Sequence, residues 1–226
     1  EIVVNIDDVL IADTFIANID EAKNHYDVRA EYSRLLGMAL AKQFDIRLLQ
    51  LAVLAARGSA TVTGGNGGTA ITDADAATNG ASLAASIFAA AQAMDEKDVP
   101  ENERVAIVRP AQYYQLVQTT DVINRDFGGA GVYADGTVLK VAGVQIVKSN
   151  NIPSANISAV TGENNTYHGN FSTTVAVVMQ KQALGTVKLM DLAVERTSGD
   201  FEVMYQGTLM AAKYAMGHGI LRPECS

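Results

Sequence analysis

The chain has 226 residues, 48% apolar and 19% charged, with 17 basic against 25 acidic side chains and a net charge of −8. Such a length can bury a sizeable core without disulfides, and the acidic balance argues against a protein that grips a nucleic-acid backbone, which needs Lys and Arg to displace counterions. The lone Cys225 excludes an internal disulfide framework, and with no bilayer-length apolar run and no signal-peptide pattern the composition predicts an acidic globular protein, soluble in a reducing compartment.

The chain opens in a strand-like pattern at Glu1, which suggests a fragment. Residues 2–16 are rich in β-branched side chains and predict one strand followed by a short connection. Residues 16–27 predict a short helix or turn. From Val28 to Arg57 the only breaker is Gly37, and apolar residues recur at helical spacing, from Tyr32, Leu35, Leu36 and Leu40 to Leu49, Val53 and Leu54. Asp27 suits the N-cap, and Arg57-Gly58 the stop. Thirty residues at ~1.5 Å each make a rod of ~45 Å. That equals the full width expected of a compact chain this long, with its radius of gyration of ~17 Å. The helix therefore reads as a spine, and the subunit as elongated or flat.

Residues 61–80 (TVTGGNGGTAITDADAATNG) predict a mobile linker. A second helix follows over about 81–95, with Leu83, Ala84, Ile87, Phe88, Ala91 and Met94 on its apolar face. Residues 104–109 predict a strand. Pro110 is placed for the first turn of a helix over 111–118, with Tyr114 and Val117 inward. Asp126–Gly136 is a glycine-rich loop, residues 137–148 predict two strands around Ala142-Gly143, residues 150–157 a polar turn, and residues 174–180 another buried strand. At the end, residues 186–196 and 201–216 read as long segments joined by a four-residue turn, Thr197–Asp200, with hairpin chemistry. The second of these is strand throughout or turns helical near residues 210–214.

Candidate chemical groups are sparse. Asp7-Asp8 and Asp73-x-Asp75 lack a further ligand at useful spacing and read as turn carboxylates. His25, His168 and His218 share no partner pattern. Gly64–Gly68 is followed by Thr69-Ala70 rather than the Gly-Lys-Ser/Thr that closes a phosphate-binding loop. Cys225 has no helix N-terminus to acidify it. Asn156, Asn164 and Asn170 head Asn-x-Ser/Thr triplets without a secretory context. No catalytic, cofactor or metal site is expected, and the acidity is spread along the whole chain.

Three segments carry a resemblance. Asn24-His25-Tyr26-Asp27-Val28-Arg29 with Glu31-Tyr32 is the first, and Ala183–Leu189 continuing as Asp191–Arg196 is the second. Ala212–Gly219 with Leu221-Arg222-Pro223-Glu224 is the third. In these the sequence resembles the major capsid proteins of T-seven-like short-tailed phages, strongly at both ends and weakly between. The resemblance implies an α+β class and the tailed-phage (HK-ninety-seven-type) capsid fold, with a long spine helix at 28–57, a peripheral β-sheet and an inserted α+β axial domain. The peripheral domain would comprise 1–60 and 186–226, and the axial domain 61–185. Related proteins carry an N-terminal arm and an extended loop before the position of Glu1, and a further strand after Glu224. The sequence here is thus expected to fold but to assemble poorly.

The implied function is a structural shell subunit that self-assembles into hexamers and pentamers around double-stranded DNA. Portal and scaffolding proteins are the expected partners, the packaged DNA is contacted only non-specifically, and no membrane is involved. Its place would be the virion, and the host cytoplasm during assembly. Subunit-interface candidates are Phe127, Gly128, Gly129 and Tyr133 in the glycine-rich loop, expected near the capsomer axis, and Arg196 and Asp200 at the 197–200 turn, expected between capsomers. Two alternatives share parts of the pattern: the shell of a cellular nanocompartment, and a small α/β enzyme built on residues 104–118.

Overall fold

Val28–Ala56 forms one uninterrupted helix of 29 residues, about 44 Å by the usual rise per residue, which continues through Gly37. This computed structural model describes residues 2–23, 28–119 and 140–226. The proposed N-cap Asp27 and the loop candidates Phe127, Gly128, Gly129 and Tyr133 lie outside them. The chain divides into two compact units. The smaller comprises 3–45 and 186–218; the larger comprises 1–2, 46–185 and 219–226.

In the smaller unit, strand β1 (Leu10–Ala17) leads into the short helix α1 (Asn18–Lys23), and the first part of the long helix, α2 (Val28–Ala56), follows. Two long strands from the far end of the sequence, β8 (Leu184–Arg196) and β9 (Gly207–Ile220), complete a three-stranded sheet of order β1-β9-β8. β1 runs antiparallel to β9, with Leu10 opposite Tyr214 and Ile16 opposite Thr208. The alternation of strand side chains puts Ile16, Met210, Ala212, Tyr214 and Met216 on one face, where they pack with Leu36 and Leu40 of α2. Segments 180 residues apart in sequence thus share one core.

The connection from β8 to β9 differs from the predicted tight turn. Asp200–Tyr205 forms a helix, α5, entered through Gly199 at φ 73° and ended by Gln206 in the left-handed region. Residues 201–205 are therefore not strand, and residues 210–214, where helix was an option, lie within β9. The run Phe-Glu-Val-Met-Tyr has no alternation to hold it extended, whereas 208–214 alternates buried and half-buried positions.

In the larger unit, α3 (Gly80–Asp95) and α4 (Pro110–Gln118) cover one face of a four-stranded sheet. Its strands are β2 (Arg104–Val108), β3 (Lys140–Val141), β4 (Val144–Lys148) and β7 (Ala176–Gln180), in the order β3-β4-β2-β7. Ala142 and Gly143, both at positive φ, make the two-residue turn that joins β3 to β4. A two-stranded ribbon of β5 (Asn156–Ile157) and β6 (Gly169–Asn170) lies between β4 and β7 in sequence. Leu83, Ile87, Leu116, Ala106, Val108, Val144 and Ile146 form the main core. Two expected core residues are displaced. Phe88 and Tyr114 point to solvent, while the rest of the expected faces, Leu83, Ala84, Ile87, Ala91, Met94 and Val117, is buried and Tyr113 joins it.

Residues 61–80 have little regular structure but are not a free linker. Lys97 Nζ donates to Gly67 O at 2.6 Å and also to Thr69 Oγ1. The Thr69 amide donates to Ser226 O. Asp73 accepts from Ser82 at 2.7 Å, from Ser86 at 3.0 Å and from the Asp75 amide at 2.9 Å. These bonds hold its carboxyl below the usual range, that of Ser82 contributing most. Composition suggested mobility; small side chains instead allow close approach to the end of α2. Gly68 shows this directly. A Cβ there would run into Ala55 O and come within 2.6 Å of the Ala56 carbonyl carbon. Gly68→Ala should therefore cost at least about 1–3 kcal/mol by overpacking. A melting experiment should show a drop of roughly 4–8 °C for ~2 kcal/mol in a chain of this length, and an unchanged midpoint would contradict the packing.

Candidate assembly surfaces

Among the described residues, no group of three or more His, Cys, Asp or Glu could hold a metal ion. His168 and His218 sit in different units, and His25 lies outside the described residues. His218 is buried edge-on against Phe44, with Nδ1 2.9 Å from Thr186 Oγ1. Cys225 is buried, and burial pushes its thiol pKa up, away from reactivity. A cavity of about 770 Å³ in the larger unit is bordered by Arg57, Asp73 and Arg109. Each of these is tied to its own surroundings: Arg57 donates to Asn170 O at 2.5 Å, Arg109 to Pro153 O at 2.7 Å, and Asp73 is held by its serines.

The unusual feature is apolar surface. Most of the large hydrophobic side chains left in water belong to the smaller unit. Its sheet buries one face on α2, while Ile11 and Phe15 are exposed on the other. Lys213, opposite Ile11, pairs there with Glu195 at 2.9 Å. The edge strand β8 is exposed along nearly all its length. By alternation, Val187 and Leu189 share a face with Glu195, and Met190, Leu192 and Val194 take the opposite one. Leu189 is 67% exposed. A solvated edge strand ordinarily carries charges to discourage pairing; this one has Lys188, Asp191, Glu195 and Arg196, but it also exposes large apolar side chains on both sides.

The α5 tip continues the pattern. Val203 and Met204 are 72% and 75% exposed, and Tyr205 beside them is open as well. Arg196 and Asp200 flank this tip, both exposed. The sequence pointed to this turn through its polar residues; the larger apolar payload in α5 was hidden in what looked like a strand. α2 adds Tyr32, Leu35 and Met38, exposed at i, i+3 and i+6 on one stripe.

Magnitudes decide what such a surface is for. Taking a fully exposed Val, Leu, Ile or Met side chain to full burial returns ~1.5–3 kcal/mol, and the five on β8 are about half exposed, so covering them returns on the order of 5 kcal/mol. That is comparable with the roughly 4–15 kcal/mol that association costs in lost freedom. A strand of this kind suits contact with other protein surfaces, repeated over many copies.

The chain matches, over residues 1–226, a family described as Gp10A-like: Major capsid protein. It is 30% identical to the major capsid protein of Enterobacteria phage T3, over all of this chain and 72% of that protein. It is 31% identical to the major capsid protein of Escherichia phage T7, again over all of this chain and 72% of the relative. Among solved structures, the capsid of Cyanophage P-SCSP1u superposes with a TM-score of 0.89 at 49% identity, covering 98% of this chain and 71% of that one.

Replacing Leu189 and Leu192 by Lys tests the surface. Both are exposed, so the melting midpoint should stay within ~2 °C, since surface substitutions cost within about ±0.5 kcal/mol. Sedimentation should show the assembled fraction falling at least ~10-fold, the change that ~1.4 kcal/mol produces. Wild-type assembly would show that β8 is not a contact.

Proposed function

The chain belongs to the family of Gp10A-like major capsid proteins, structural components of phage virions with the tailed-phage capsid fold, and from that premise we propose how it builds a shell. Copies of the chain form hexameric and pentameric capsomers of an icosahedral head enclosing double-stranded DNA, and bury the apolar edge of the smaller unit against one another. The exposed strand β8 carries this reading, because it leaves on a single chain the surface that neighbouring copies would cover.

Residues 1–60 and 186–226 serve as the peripheral domain and 61–185 as the inserted axial domain. What supports this is that strands from both sequence ends share one sheet, and that the second compact unit gathers the middle of the chain. Arg196 and Asp200, together with Val203 and Met204 of α5, form contacts between capsomers. The glycine-rich loop with Phe127, Gly128, Gly129 and Tyr133 lies at the capsomer axis, where small residues let several backbones meet. Closed rings place different patches of the same surface in contact around the axis, and many weak contacts sum to a stable container.

The protein performs no catalysis. Portal and scaffolding proteins are its assembly partners in the host cytoplasm, and its net charge of −8 leaves contact with packaged DNA non-specific and weak.

Expression of the full-length protein with its scaffolding partner, followed by negative-stain electron microscopy, tests this reading. Closed particles of uniform diameter are the expected result. A protein that stays monomeric under the same conditions contradicts it.

A further inference from the structure

The chain holds two Asn-Gly pairs, Asn66-Gly67 and Asn79-Gly80. Such a pair can close on itself, because glycine has no side chain to shield its backbone nitrogen from the asparagine amide carbon. Closure needs that nitrogen unengaged, the asparagine side chain free to turn, and water at hand. The two pairs meet these conditions differently.

Asn79 is the N-cap of α3. Its Oδ1 accepts from the Ala81 amide at 3.0 Å, its own amide donates to Asp75 O at 2.8 Å, and its carbonyl accepts from the Leu83 amide at 3.0 Å. Gly80 is buried, so close to α4 that a Cβ there would strike the Gln115 carbonyl. Turning the Asn79 side chain toward the Gly80 nitrogen breaks the cap, at a cost of about 0.5–2 kcal/mol. Asn66, by contrast, is exposed. Among the described residues no hydrogen bond holds its side chain, and the Gly67 N–H has no acceptor. Lys97 Nζ donates to Gly67 O at 2.6 Å. A cation so near favours the deprotonated nitrogen through which closure proceeds.

We propose that Asn66 is a site of spontaneous deamidation through the Gly67 nitrogen, and that the isoaspartyl product unseats residues 66–69 from the end of α2. A solvent base takes the Gly67 N–H proton, and the nitrogen attacks the side-chain carbonyl carbon of Asn66. A C–N bond forms there, the bond to Nδ2 breaks, and ammonia leaves with a proton from water. Water then opens the cyclic imide at either carbonyl. One opening leaves an aspartyl residue; the other leaves an isoaspartyl residue, whose main chain runs through the former side chain and is longer by a carbon atom. The segment has no slack to absorb that atom. A Cβ on Gly67 would lie 2.9 Å from Gly58 O, and one on Gly68 would run into Ala55 O. The longer main chain therefore pushes both glycines off their seats and strains the Lys97 bonds to Gly67 and Thr69.

Trypsin releases both pairs on one peptide, residues 58–97, because no Lys or Arg lies between Arg57 and Lys97. Full-length subunits are aged in mildly alkaline buffer, and tandem mass spectrometry of that peptide reads each asparagine as amide or acid. Asn66 should convert at least ~10-fold faster than Asn79, the ratio that ~1.4 kcal/mol of extra barrier at Asn79 gives. In urea-unfolded protein the two rates should draw level. Equal rates in the folded subunit overturn the site, and the same ratio in urea shows that the fold does not select it. Aged protein should also melt at least ~2 °C below fresh protein, whereas Asn66→Gln aged alike should hold its midpoint. An unchanged wild-type midpoint, or an equal fall in both proteins, overturns the unseating. So does a fall of the same size in fresh Asn66→Asp, which carries the new charge without the longer main chain.

Discussion

One helix supplies side chains to two cores. In its first half α2 gives Leu36 and Leu40, with Phe44 alongside, to the sheet of the smaller unit. In its last three turns it gives Ala52 and Val53 to a cluster with Phe171 and Val177 in the larger one. The apolar positions therefore do not keep to one stripe, and side chains on other sides, such as Tyr32, Leu35 and Met38, are left in water. An isolated helix with apolar residues on several sides is poorly suited to water. Packing from more than one direction is the condition under which this sequence is consistent with its fold. Breaking α2 would remove a wall from each core at once.

The strong local signals were legible in the sequence. A 29-residue run without Pro, the Pro110 helix start, and Ala142-Gly143 between two β-branched runs each fix their element by backbone chemistry alone. Tertiary contact decided the rest. Residues 61–80 look like a linker because Gly, Thr and Ala are common in flexible chain. Here the same residues serve close packing at Gly68 and hydrogen bonding at Thr69 and Asp73. Phe88 and Tyr114 fit the apolar pattern of their helices but lie at its margin, and the core beneath takes Leu83, Ile87, Tyr113 and Leu116 and leaves them outside. α5 was missed because six residues are too few to show a period, and the left-handed Gln206 that ends it carries no strong sequence mark.

The assembly surface was only half visible for a related reason. A sequence shows which residues are apolar, not which of them fail to find a partner within the chain. β8 reads as an ordinary strand, and only the sheet order, with β8 at an edge and α2 packed on β1 and β9, reveals that both its faces are open. The acidic charge and this apolar edge complement each other. On the proposed reading, diffuse repulsion keeps single copies apart, and burial of the edge holds them together once they are in register.

Hydrogen exchange at the backbone amides of residues 187–194 bears most directly on this account, compared between assembled shells and dissociated full-length subunits. The account predicts that those of these amides that do not bond to β9 exchange rapidly in the subunit and at least ~100-fold more slowly in the shell, matching ~2.7 kcal/mol of added protection. Equal exchange in the two states would mean that the strand stays open in the particle, and that the apolar edge is not what joins the copies.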